Sequence, residues 1–184
     1  MANEITQIKP LRRIVVHDNA EGTRSGALCD GPSPDVHTDP ARPGFAATRM
    51  WVTHDTPARI RNETLDTPHT IEPPKAGSLC RYLQIPPDAV WKGKVGSKEV
   101  GAYFAAMGSP GASTYSAAAS HPYMQKTRTL DFALILEGEV TLVLDLEEVQ
   151  LSAGDTVVLR GANHAWSNRS DKPCLIAMSM HDAA

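Results

Sequence analysis

The feature that most constrains this chain is the pattern between Leu130 and Met180, where apolar and polar residues alternate in short runs separated by turn residues. Leu130 to Leu136 is a near-continuous apolar strand, and Glu137-Gly138-Glu139 is its turn. Beyond it Val140, Leu142, Leu144 and Leu146 share one side, while Glu139, Thr141 and Asp145 share the other, which is the period of a strand and not of a helix. Val149 and Leu151 continue the pattern, Ser152-Ala153-Gly154-Asp155 turns, and Thr156 to Arg160 is the next strand. Gly161 to Asn168 reads as a crossover, and Cys174 to Met180 closes the set. Strands this short at about 8–12-residue spacing predict an antiparallel barrel or sandwich.

The first half is broken up by proline, with eleven of the fourteen prolines lying before residue 88. Arg12 to His17, Ala46 to Thr53 and Ser78 to Ile85 read as strands, with Gly26 to Cys29 as a hairpin partner for the first. The proline-interrupted stretch from Asp35 to Gly44 excludes a helix or a central strand. One helix is predicted, capped by Ser97, with Val100, Tyr103, Phe104 and Met107 on one face and Gly108 ending it. A single all-β domain follows, with residues 76–184 as the barrel and residues 1–75 as an arm packing on it or on a partner subunit. An isolated arm of this kind cannot bury a core, so the expected assembly is a homodimer.

The 184 residues carry 18 basic and 21 acidic side chains, a balance that opposes a nucleic-acid or anionic-membrane partner. No apolar run is long enough to span a bilayer, and Glu4 stands where a signal peptide has a basic start, so a cytoplasmic location is expected. Cys29, Cys80 and Cys174 form no C-x-x-C pair and read as small buried hydrophobes. No nucleophile elbow, Walker loop, G-x-G-x-x-G or H-E-x-x-H is present. His17, His37, His54 and His69 show no ligand spacing and read as surface.

Gly154, Gly161, His164 and Asn168 fall in an order that resembles the second motif of the cupin superfamily, with Arg160 in the place of the usual proline and one residue fewer. The first motif is matched at its end by Asp131 and Gly138, while its two histidine positions fall on Gln125 and Thr127, or on Met124 and Lys126 if the loop is one residue longer. The resemblance covers roughly residues 120–180 and implies a double-stranded β-helix, the cupin jelly roll. Cupins include dioxygenases, decarboxylases, isomerases, dehydratases and simple binders, so the resemblance does not select a reaction.

It does select residues. A cupin ion is held by three imidazoles and a carboxylate, and here His164, Gln125, Asp131 and, from just upstream, His121 are the candidates for a divalent metal (Fe, Zn, Mn or Ni). His164 is either a metal ligand or general base, or a structural donor to a carbonyl. Asp131 either points to the barrel mouth with Arg128 or Lys126, or caps the preceding turn. As catalytic residues we take His164 and Asp131, with Gln125, Thr127, Lys126, Tyr123, Arg160 and Trp166 around the substrate. The function expected is lyase or isomerase chemistry on a small organic acid or carbonyl compound. A metal-dependent dioxygenase and a non-catalytic binder of a small ligand are the alternatives.

Overall fold

The structure is a computed structural model that describes residues 5–184. Among the described residues, eleven strands and an α-helix follow in chain order: β1 (Arg12–Asp18), β2 (Ser25–Pro32), β3 (Val36–Thr38), β4 (Ala46–Thr53), β5 (Ser78–Ile85), α1 (Ser97–Ala106), β6 (Thr129–Glu137), β7 (Glu139–Leu144), β8 (Glu148–Ser152), β9 (Thr156–Arg160), β10 (His164–Ser167) and β11 (Cys174–Asp182). Six of them make one sheet in the order β3-β4-β5-β11-β6-β9, three make a second in the order β10-β7-β8, and β1 and β2 form a separate hairpin. Every pairing is antiparallel. This is an all-β jelly-roll barrel, the fold the family resemblance implies, where the strand pattern alone predicts a barrel or sandwich.

One core joins the two sheets. Val140, Leu142, Leu151 and Trp166 of the smaller sheet cluster with Leu79, Leu83, Ile135 and Ile176 of the larger one, and α1 adds Val100, Tyr103 and Phe104. Along β6 the inward side chains are Thr129, Asp131, Ala133 and Ile135, so its apolar run is split between two faces: Leu130, Phe132, Leu134 and Leu136 are partly exposed. The β7 strand is buried on both sides, because Val143 packs with Met124 and Ala165 beneath the 112–125 loop. Leu146 departs from the expected inward row and is 98% exposed, since the chain turns after Leu144.

The division expected at residues 75 and 76 runs through the six-stranded sheet, because β3 and β4 lie before it and β4 pairs along β5. The part that stands apart is the β1–β2 hairpin. Arg13 ties it down: its guanidinium donates to the Met50 carbonyl at 2.8 Å and grips Glu63 at 2.7 and 2.9 Å. That grip holds the Glu63 carboxyl down to about 2. The α1 cap is Gly96 and not Ser97, with the Glu99 carboxylate accepting the Gly96 N–H at 3.0 Å. Gly108 ends the helix at φ +64°. Of the cysteines only Cys174 is buried, while Cys80 is exposed because it occupies the outward register of β5.

The segment expected to be a crossover, Gly161 to Asn168, contains β10, a four-residue strand whose residues are all buried. It leads into Asn168, whose side-chain amide donates to the Ile85 and Lys172 carbonyls at 2.9 and 2.8 Å. This residue closes the turn into β11, which is a structural use of the motif asparagine.

Candidate functional site

Two backbone hydrogen bonds bring the two motif positions face to face. Gln125 N–H donates to the His164 carbonyl at 2.9 Å, and His164 N–H donates to the Gln125 carbonyl at 3.0 Å. Their side chains meet as well, with Gln125 Nε2 3.3 Å from His164 Nε2. His164 Nδ1 lies 2.9 Å from the Ala162 carbonyl, which can only accept, so Nδ1 carries the ring proton and Nε2 keeps a lone pair toward the amide. The ring is 2% exposed, and this burial lowers its pKa and keeps it neutral. His164 therefore makes the structural contact to a carbonyl through one nitrogen, while its other nitrogen faces the Gln125 amide.

Asp131 is also deep, at 1% exposed. Burial raises its pKa, with Thr129, Arg81 and His181 opposing the rise. The cationic influence on it comes from Arg81 and His181, and neither Lys126 nor Arg128 pairs with it. Thr127 is buried and shares a 2.7 Å hydroxyl contact with Thr129. Lys126 and Arg160 lie outside the barrel, where with Arg128 they line a cleft of about 370 Å³. Tyr123 and Trp166 line the interior itself.

Arg81 was not foreseen. It sits between Leu79 and Leu83 on the inward register of β5, and that parity in an otherwise apolar row was the signal available. Its side chain is 2% exposed, its Nε has no hydrogen-bond partner, and no carboxylate lies within 4 Å of it among the described residues. Burial lowers its pKa, and Tyr103 and Asp131 oppose that. Guanidinium is so basic that the group remains a cation. It faces a small enclosed space shared with Arg42, Phe45, Tyr103, Tyr123, Gln125 and Trp166. Trp166 Nε1, the Tyr123 hydroxyl and one Arg42 nitrogen also lack partners there. The space is about 20 Å³, room for one water molecule.

One end of this space is closed from the N-terminal half. The Arg42 guanidinium lies 3.5 Å from the Tyr123 ring centre, 3.9 Å from that of Phe45 and 4.5 Å from that of Tyr103, and its Nε donates to Asp39 at 2.7 Å. His121 packs edge-on against Trp91, and its Nδ1 accepts the Tyr123 N–H at 3.1 Å. Burial drives its pKa down to about 3, with Arg42 adding to the effect.

The residues at the motif positions do not fit the ion that cupins of the three-imidazole kind hold. Among the described residues, His121, Asp131 and His164 do not gather three ligand atoms at one point, and Gln125 offers an amide where an imidazole is required. One group of the needed kind does exist among the described residues, at Asp35, His37 and His69, away from the barrel interior. Two of these histidines had read as unconnected surface residues.

The family profile described as "Cupin domain" matches residues 112–180. Two proteins of Diaporthe leptostromiformis, phomopsin biosynthesis cluster protein C' and phomopsin biosynthesis cluster protein D, are each 48% identical over 48 residues, 26% of this chain and 25% of theirs. Oryzines biosynthesis cluster protein J of Aspergillus oryzae is 42% identical over 50 residues, 27% of this chain and 28% of its own. The chain thus matches only about a quarter of the length of these curated relatives. Among solved structures, a cupin 2 conserved barrel domain protein from Salinispora arenicola is similar at 16% identity and TM-score 0.39, over 76% of this chain and 77% of that one. A putative ethanolamine utilization protein Q from Salmonella typhimurium is similar at 9% identity and TM-score 0.44, over 96% and 99%. The family match is thus to a cupin domain over residues 112–180.

Proposed function

We propose that the barrel binds a small organic acid or carbonyl compound and carries out proton-transfer chemistry on it, of the lyase or isomerase kind. The observation that carries this reading is Arg81, a buried guanidinium with no carboxylate within 4 Å among the described residues, its Coulombic partner Asp131 lying farther off. An unpaired buried charge is costly and is retained where something else neutralises it. Arg81 and Trp166 Nε1 hold the carboxylate or enolate oxygen. His164 Nε2 removes a proton from the carbon beside the carbonyl, the C–H electron pair passes into the enolate, and the protonated ring returns the proton at the next atom or to the leaving group. Gln125 orients the imidazole before substrate displaces it.

An enclosed space of about 20 Å³ requires the loop carrying Arg42 and Phe45 to move when ligand enters, so the N-terminal half supplies the gate. The relatives named for phomopsin and oryzines biosynthesis clusters support a role in small-molecule biosynthesis. No helix among the described residues is long and apolar enough to cross a membrane, and we retain the cytoplasm as the site of action. A second copy of this chain is the proposed partner. It is supported by the exposed apolar row of Phe132, Leu134 and Val158 on the outer faces of β6 and β9.

Calorimetry against a panel of small mono- and dicarboxylates tests the reading. At least one should bind the native protein and lose that binding in Arg81→Met, and turnover of the identified compound should vanish in His164→Ala. A ligand that binds both forms equally overturns it. Binding without any turnover supports the non-catalytic alternative. Stoichiometric iron, lost in His164→Gln, supports the dioxygenase alternative.

A further inference from the structure

We propose that Asp35, His37 and His69 form a second site, outside the barrel, for a divalent transition ion of the zinc and cobalt class. Asp35 Oδ1 lies 3.0 Å from His69 Nδ1 and 3.3 Å from His37 Nε2, and all three ligand atoms lie within 4.8 Å of one another. A tetrahedral ion with bonds of about 2.0–2.1 Å places its ligand atoms roughly 3.3 Å apart. The two oxygen–nitrogen spacings are already close to that, and the two nitrogens lie within 4.8 Å of each other. The imidazoles are stacked with ring centres 3.7 Å apart, so both edges converge on the same oxygen.

The surrounding residues hold the carboxylate in the required orientation. Arg49 Nε donates to Asp35 Oδ2 at 2.6 Å, and a second Arg49 nitrogen pairs with the same oxygen, which leaves Oδ1 for the ion. Arg49 also donates to the Pro68 and Thr67 carbonyls at 2.9 and 2.7 Å, fixing the loop that carries His69. The Arg49 N–H donates in turn to the Asp35 carbonyl at 3.0 Å. Two imidazoles and one carboxylate suit zinc, cobalt and nickel better than calcium or magnesium, which favour all-oxygen shells. The His37 side chain is 36% exposed, so water reaches the remaining coordination position. An ion here joins the β3 edge of the large sheet to the loop before β5. The rival is a carboxylate hydrogen-bonded by two imidazoles with no affinity for metal.

Cobalt titration of the full chain, freed of any histidine tag, decides between them. The expected result is one equivalent bound with visible ligand-field absorption, unchanged in His164→Gln, and at least tenfold weaker in His37→Ala. His37 is partly exposed, so its replacement leaves the fold intact, and an unchanged circular dichroism spectrum checks that. Asp35→Asn provides the second variant, with the same loss expected. No cobalt bound by the native chain, or binding that survives His37→Ala and disappears in His164→Gln, overturns the proposal. Neither result touches the Arg81 reading of the barrel, which is measured with carboxylates.

Discussion

Replacing Arg81 by Met should leave the protein as stable as before or make it more so, while removing its affinity for carboxylates. Met keeps most of the length and volume of the side chain and fills the inward register of β5 between Leu79 and Leu83. The effective penalty for taking one ion out of water into a protein interior is several kcal/mol, and exchanging buried ions for apolar residues is often neutral or stabilising by about 1–4 kcal/mol. Against that gain stands the lost attraction to Asp131, which makes no ion pair within 4 Å and whose pKa is already raised by burial, so it can take up a proton when the cation goes. A net change between about 0 and +3 kcal/mol follows, and in a chain of 184 residues each kcal/mol moves Tm by roughly 2–4 °C. Thermal and urea unfolding of the native protein, Arg81→Met and Arg81→Met/Asp131→Asn give the comparison. If the single variant lost more than about 2 kcal/mol and the double variant regained it, Arg81 and Asp131 would be a structural pair, and the argument for an anionic ligand would be refuted.

Stability should fall on the acid side because His121 is buried neutral. Its folded pKa, about 3, lies below the unfolded value of 6.5, so below pH 6.5 the unfolded chain binds a proton that the folded one refuses. By pH 5 that costs about 2 kcal/mol, His164 acts in the same direction, and His121→Leu should flatten the profile in urea unfolding between pH 5 and 7; an unchanged slope would contradict the assignment. Gly108→Ala should destabilise by more than about 2 kcal/mol in the same assay, since an added Cβ would stand 2.1 Å from the His69 carbonyl oxygen at a φ of +64°, and a loss below about 0.5 kcal/mol would show that the helix end is not fixed there. Light scattering should give a dimer that dissociates in Phe132→Glu/Val158→Glu; a native chain that is monomeric at micromolar concentration removes the second-copy partner.

The second half of the fold was legible because its strands are long enough to display a period of two and are punctuated by glycine and acidic turns, as Glu137-Gly138-Glu139 is. The β10 strand was not, because four residues buried on both faces show no alternation to read. At the site, His164 and Gln125 were found through the motif, and the backbone bridge between them is a tertiary fact with no local signature. Lys126 and Arg160 misled because a cation beside a motif says nothing about which face of the strand it occupies, whereas Arg81 could have been picked out by its parity with Leu79 and Leu83. The Asp35–His37–His69 group was invisible for another reason. His69 lies 32 positions beyond His37 along a proline-containing stretch of chain, and only the folded loop held by Arg49 brings them together.

The reciprocal clasp between Gln125 and His164 is made entirely by main-chain atoms. What the two positions present to the interior is therefore a separate matter from whether they meet, and either side chain can be exchanged while the two backbones stay locked. A barrel built this way can gain or lose a metal ligand by one codon change without reorganising its frame, and a glutamine in a histidine's place is one such exchange. The same independence gives a route backward: Gln125→His sets a second imidazole against His164 on a scaffold that already holds the two residues together.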